Sequence, residues 1–184
     1  CTSVAVADKP EGPFDFYGYV QHSDGTPWGE KQGDSFVFDP GVLVDDDGRV
    51  CLYAGFGPAG DMKKLMELRG DRLEESVCLE LAADMKTVCG GEYGIVPGPE
   101  TAVGTEYEAH PFYEASSIRK FGSRYYYVYS STLSHELCYA VSDRPTGGFH
   151  FGGTIISIGD IGYQGRQEPD NYTGNTHGGM AEIN

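Results

Sequence analysis

One long pattern occurs twice in this chain, and it limits the fold more than any other feature. Ala5-Val6-Ala7-Asp8-Lys9-Pro10-Glu11-Gly12-Pro13-Phe14-Asp15-Phe16-Tyr17-Gly18 recurs as Ala140-Val141-Ser142-Asp143-Arg144-Pro145-Thr146-Gly147-Gly148-Phe149-His150-Phe151-Gly152-Gly153. Each copy reads as a strand, a turn carrying Pro and Gly, and a second strand that begins with Phe. A second repeat places an acid directly before an apolar hairpin. In the first copy Asp39 and Pro40 precede Val42-Leu43-Val44, then Asp45-Asp46-Asp47-Gly48, then Arg49 to Tyr53. In the second Glu114 and Ala115 precede Ser117 to Lys120, then Phe121-Gly122-Ser123, then Arg124 to Tyr129. A third copy begins at His177-Gly178-Gly179, with His177 in the place of the acid.

Each unit holds about four short strands by its alternation and turn residues. Repeated four-stranded units are the sequence mark of β-propeller blades, although this period exceeds that of the common propeller families. Alternation alone leaves a sandwich open. In a propeller the first strand of every blade lines the central channel, which would bring Asp39, Glu114 and His177 together. The competing reading is that each acid only caps or solvates its strand start, and the repetition argues against it. One stretch breaks the β pattern: Asp61 to Arg69 spaces apolar residues at 62, 65, 66 and 68 before Gly70, which predicts a short helix over 61–69 in a rim insertion.

The expected fold is therefore all-β, a single partial β-propeller domain over residues 1–184. It would comprise the end of one blade, two complete blades and the start of the next, about three blades' worth.

A net charge of -15 and a pI near 4.5 argue against nucleic acid or an anionic membrane surface as partner. No window approaches the length of a membrane-spanning helix, and no signal peptide opens the chain. The five cysteines, Cys1, Cys51, Cys78, Cys89 and Cys138, lack the paired short spacings of a disulfide framework or a zinc site. Cys51 and Cys138 lie in apolar strands and read as small core residues. Free-looking cysteines lean slightly towards a cytoplasmic setting; the compartment is otherwise unassigned.

Two carboxylates facing each other across a pocket suit glycosidic bond cleavage, in which one protonates the leaving oxygen and another activates water or attacks. A channel lined by acids could equally hold a metal. Asp45, Asp46 and Asp47 resemble a calcium loop but read as a solvated hairpin turn. His110, His135 and Arg166 are candidates for sugar contacts. Trp28 and the many tyrosines could stack on sugar rings, yet most of this aromatic content must form the core.

The sequence resembles glycoside hydrolase family 43, whose domain is a five-bladed β-propeller. Phe38-Asp39-Pro40 with the Asp45-Asp46-Asp47-Gly48 hairpin is similar to the family's Asp-Pro segment, which implies Asp39 as the pKa modulator. Tyr113-Glu114-Ala115-Ser116-Ser117 is similar to the general-acid segment, which implies Glu114 as proton donor. Asn175-Thr176-His177-Gly178-Gly179 is similar to the late His-Gly segment, which implies His177 beside a cation, often calcium, in the central channel. The resemblance implies inverting hydrolysis of terminal xylosyl or arabinofuranosyl residues from plant-derived oligosaccharides. A non-catalytic carbohydrate-binding propeller is one alternative. A retaining invertase-like propeller is another, disfavoured because Phe38-Asp39-Pro40 and Glu114-Ala115-Ser116 replace that clan's Arg-Asp-Pro and Glu-Cys-Pro. The family's general base is an Asp upstream of the modulator, and Asp8, Asp15, Asp24 and Asp34 all lack its context. The base is therefore expected upstream of Cys1, and the 184 residues alone are expected to be inactive.

Overall fold

The structure, a computed structural model, describes residues 1–184 except Arg69, Asp71, Glu74, Asn175 and Asn184. Strands β1 (Ser3–Val6) and β2 (Asp15–Tyr19) form a hairpin. Strands β3 (Gly41–Val44), β4 (Val50–Gly55), β5 (Glu75–Leu81) and β6 (Val88–Pro97) form one antiparallel sheet in chain order. Strands β7 (Phe112–Phe121), β8 (Arg124–Ser131), β9 (Glu136–Ser142) and β10 (His150–Ser157) form a second sheet in the same way. The architecture is all-β, and its repeating element is the four-stranded meander of a propeller blade.

The long repeat is reproduced residue for residue. Ala5 stands opposite Phe16 as Ala140 stands opposite Phe151. The next pairs, Val4 with Gly18 and Tyr139 with Gly153, each skip one residue on the second strand. Tyr17 and Gly152 are thus equivalent β-bulges, which bend both hairpins at the same place. Both acid-linked hairpins also close as their turn residues dictate. Val44 faces Val50 around Asp45–Gly48, and Phe121 faces Arg124 around Gly122-Ser123. Gly122 has φ 58°, a conformation that a glycine at the first central position of a two-residue turn supplies without strain.

Strand β4 is buried along its whole length, so its alternating side chains serve two cores. Cys51 and Tyr53 enter a layer between the two sheets with Cys78, Phe112, Ile118, Tyr127 and Tyr129. Val50 and Leu52 enter a second layer with Val20, Leu79 and Leu81. The first layer is aromatic: Tyr53 and Tyr127 rings lie 5.8 Å apart, and Phe112 and Tyr129 rings 6.0 Å apart. Each fully buried large side chain of this kind contributes about 1.5–3 kcal/mol. The Tyr53 hydroxyl also donates to the Pro145 carbonyl at 2.9 Å, which satisfies its polar end and ties the sheets together.

Helix α1 spans Gly60–Glu67 with none of its residues buried; Arg69, the expected end of that helix, lies outside the described residues. No helix among the described residues is long and apolar enough to cross a membrane. All five cysteines are free, with Cys51, Cys78 and Cys138 buried. The third unit, expected to start a strand at His177, runs without strand pairing among its described residues. It is packed closely nonetheless. A Cβ on Gly178 would stand 2.6 Å from Leu137 Cδ2, and one on Gly179 2.9 Å from Ser117 Oγ.

The Asp45–Asp47 turn differs from the solvated reading at one residue. Asp46 and Asp47 are exposed, but Asp45 is buried. It accepts hydrogen bonds from Lys120 Nζ at 2.7 Å and Tyr125 OH at 2.6 Å, both from the neighbouring sheet. Burial alone would raise its carboxyl pKa, but the Lys120 and Tyr125 hydrogen bonds outweigh it and hold the group below its usual range. A carboxyl with a depressed folded-state pKa stabilises the fold above its unfolded value, near 3.9, and loses that contribution as pH falls through the folded value. Asp45→Asn should therefore cost about 1.5–3 kcal/mol at neutral pH. Thermal unfolding from pH 7 down to pH 3 should show the gap to wild type closing; a gap independent of pH would sink the assignment.

Candidate active site

Backbone strain marks both acid segments. Asp39 itself has φ 45°, and Ala115, next to Glu114, has φ 67°. Left-handed conformations at non-glycine residues are costly and persist only where surrounding structure enforces them. A following proline favours extended backbone at the residue before it, so Pro40 does not supply the enforcement for Asp39; beside it the Gly55 N–H donates to the Phe38 carbonyl at 3.1 Å. For Glu114 the enforcement is a bulged stretch of β7, where the ladder with β8 shifts between Phe112 and Glu114 and again between Glu114 and Ser117. Bulges re-aim side chains, and here the bulged residues carry the acid.

Two glycines set the spacing. A Cβ on Gly41 would lie 2.6 Å from the Ser116 carbonyl oxygen, and one on Gly57 2.3 Å from that of Phe112. The Gly57 N–H donates to the Tyr113 carbonyl at 2.7 Å. The start of β3 and the bulge of β7 can approach this closely only because side chains are absent there.

The result is a cluster of three groups. Asp39 and His177 line an open cleft of about 260 Å³ with Pro40, Ala115, Ser116 and Gly178; Glu114, next in sequence to the lining residue Ala115, meets it through His177. His177 Nε2 lies 3.3 Å from Glu114 Oε1 and 3.7 Å from Asp39 Oδ2. One polar atom of each of the three residues falls within 4.8 Å of the others. Glu114 is the most enclosed, its side chain 12% exposed against 29% for Asp39 and 46% for His177. Repeat-equivalent positions separated by 75 and 63 residues in sequence thus meet in space. The acids stand closer than the roughly 6.5–9.5 Å that an inverting acid–base pair leaves for water. With an imidazole bridging them, they also leave no room for a sugar ring between.

The other candidates sit elsewhere. His110 pairs through Nδ1 with Glu136 Oε2 at 2.7 Å and stacks on Phe151 at 4.6 Å. His135 Nδ1 pairs with Ser157 Oγ at 2.9 Å. Arg166 pairs with Asp170, and its buried Nε has no hydrogen-bond partner among the described residues. None of the three lines the cleft. Nor do the four earlier aspartates. Asp34 Oδ2 organises its own loop by accepting from Gly29 N at 2.8 Å and Lys31 N at 3.0 Å. Asp24 accepts from Thr26 N at 3.0 Å, Asp15 begins β2, and Asp8 lies in the turn between β1 and β2.

Sequence reasoning missed an aromatic wall beside the acids. Phe36, Phe38, Phe56 and Tyr113 pack in series, with ring separations of 6.1, 5.1 and 5.3 Å; the first pair is stacked and the other two are tilted. The signal was present, since an aromatic residue directly precedes each acid: Phe38 before Asp39, Tyr113 before Glu114.

For a cation, the three clustered side chains offer carboxylate oxygens and one imidazole nitrogen. Calcium takes six to eight oxygens, so this set fits a cation that keeps most of its water and does not form a protein cage.

No family model matches the chain. It is 44% identical over 185 residues to a xylosidase/arabinosidase of Thermoclostridium stercorarium, an alignment covering 99% of this chain and 37% of that protein. Among solved structures, an α-L-arabinofuranosidase from Clostridium thermocellum is similar at 31% identity and TM-score 0.63, with 98% of this chain and 49% of that one covered. A family 43 β-xylosidase/α-arabinofuranosidase from a compost metagenome, solved with xylotriose in a calcium-free form, is similar at 25% identity and TM-score 0.60, covering 85% and 49%. The chain spans about half or less of the length of these relatives. With its blade-like sheets and the Asp39–Glu114–His177 cluster at equivalent repeat positions, the chain belongs to glycoside hydrolase family 43.

Proposed function

We propose that the protein of which these residues form part is an inverting glycoside hydrolase. It would remove terminal xylosyl or arabinofuranosyl residues from plant-derived oligosaccharides. The observation that carries this reading is the convergence of Asp39, Glu114 and His177 into one cluster at the edge of the cleft. Glu114, the most enclosed of the three, is the general acid: it gives its proton to the glycosidic oxygen as the bond to the anomeric carbon breaks. Asp39 is the neighbouring carboxylate that tunes the acid and holds it in place. His177 spans both and orients them. A water molecule attacks the opposite face of the sugar, and its proton goes to a base. That base is not among Asp8, Asp15, Asp24 and Asp34, none of which lines the cleft or joins the three clustered side chains. It belongs to the part of the relatives' length that this chain does not span.

A calcium ion, when bound, would sit beside His177 with most of its waters and offset the clustered negative charge. Phe38, the exposed ring of the aromatic series and next in sequence to Asp39, would give the sugar an apolar face to rest on.

The test is hydrolysis of 4-nitrophenyl β-D-xylopyranoside and 4-nitrophenyl α-L-arabinofuranoside by the full-length protein. Turnover of at least one is expected. Saturable binding of xylotriose with no turnover of either would point to a carbohydrate-binding propeller and remove the catalytic reading.

A further inference from the structure

A second polar cluster lies outside the cleft. Glu136, the first residue of β9, is buried at 7% exposure. Its Oε2 accepts from His110 Nδ1 at 2.7 Å, Ser131 Oγ at 2.9 Å and the Cys138 thiol at 3.6 Å. Its Oε1 accepts from Thr154 Oγ1 at 3.3 Å. A buried carboxylate is costly unless its oxygens are satisfied, and here donors from β8, β9, β10 and the segment before β7 converge on it.

The His110 end of this cluster leads directly into the strand that carries Glu114. The His110 ring lies flat against Phe151, at an interplanar angle of 11°. Its carbonyl accepts from Tyr129 OH at 2.9 Å, and the Pro111 carbonyl accepts from Thr132 N at 3.0 Å. Residues 110 and 111 are therefore fixed through both side chain and main chain. Immediately beyond them β7 loses its regular ladder, with register shifts on either side of Glu114. A bulged stretch cannot rely on ladder hydrogen bonds for its register, so the anchor must lie outside it.

We propose that Glu136, acting through His110, is the positioning residue for Glu114. It fixes the entry to the bulge and so sets where the acid's proton is delivered. The inference rests on the reading of Glu114 as the general acid. The same His110, Glu136 and Cys138 atoms fall within 4.8 Å of one another, as a metal site would require. Each is already hydrogen-bonded, however, and burial pushes the Cys138 thiol up to about 12, away from the thiolate that a metal needs.

The test compares two leaving groups in the full-length protein. Xylobiose has a sugar hydroxyl that must be protonated to depart; 2,4-dinitrophenyl β-D-xyloside has a leaving group that departs without help. Glu136→Gln and His110→Phe are measured beside Glu114→Gln; His110→Phe keeps the stack on Phe151 if Glu136→Gln fails to fold. Both variants should lower kcat on xylobiose by about 10- to 100-fold, with KM and the dinitrophenyl rate within about threefold of wild type. Equal losses on the two substrates, or no loss on either, would overturn the proposal while Glu114→Gln shows the split. If Glu114→Gln shows no split, the acid assignment fails and this inference falls with it.

Discussion

Glu114→Gln in the full-length protein should lower kcat on xylobiose by about 10²–10⁴-fold, the usual contribution of a positioned proton donor. The amide keeps the shape of the carboxyl and its place against His177, 3.3 Å away, but has no acidic proton to give. The loss should therefore be confined to substrates whose leaving group needs one. On 2,4-dinitrophenyl β-D-xyloside the variant should stay close to wild type, and KM should change little on either substrate, because the acid acts as the bond breaks. An Asp39→Asn variant should behave differently. In the proposed mechanism Asp39 tunes the acid and does not hand over the proton, so its loss should move the pH profile on xylobiose as well as the rate. Wild-type turnover of xylobiose by Glu114→Gln would remove the residue from the chemistry.

The second large effect concerns a residue with no chemistry of its own. Gly41→Ala places a methyl 2.6 Å from the Ser116 carbonyl oxygen and 3.3 Å from Ser117 Cα. These are backbone atoms, so no side chain can swing aside. Strands β3 and β7 must separate instead, and such overpacking costs about 1–3 kcal/mol. The functional cost should exceed the stability cost. Asp39 lies two residues before Gly41, and Glu114 two before Ser116, so the separation acts directly on the distance between the acids. Misplacement on the scale of 1 Å can cost about 100-fold in rate. A variant that folds, with a melting temperature a few degrees lower and kcat on xylobiose down by about that factor, is expected. Gly48→Ala is the control: this turn glycine, with φ 84°, has open space around its Cβ and lies at the far end of the hairpin. It should lose stability without the loss in rate. Equal activity in the two variants would show that the close approach at Gly41 does not position the acids.

The parts of this molecule that were legible in the sequence are those written in local pattern. The two copies of the strand–turn–strand repeat, with Ala5 opposite Phe16 and Ala140 opposite Phe151, follow from alternation and turn residues alone. The convergence of Asp39, Glu114 and His177 was legible because equivalent positions of a repeat occupy equivalent places in space. What stayed hidden depends on contacts between side chains distant in sequence. Asp45 looks like its neighbours Asp46 and Asp47 until Lys120 and Tyr125, 75 and 80 residues away, close over it. Glu136, in the run Ser134-His135-Glu136, becomes a buried hub only because His110, from the segment before β7, and Thr154, from β10, arrive beside it. The segment after His177 was expected to begin a strand. It has no β partner among the described residues and is held instead by close packing of Gly178 and Gly179 on the second sheet.

The central claim is that Glu114 protonates the leaving group while water, activated from elsewhere, attacks the opposite face. Its stereochemical consequence can be read from the first product. Proton NMR of β-xyloside hydrolysis by the full-length protein, recorded before mutarotation, should show α-xylose accumulating first. First-formed β-xylose would instead mean retention through a covalent glycosyl-enzyme. That result would contradict the assignment of Asp39 and Glu114 as tuner and acid.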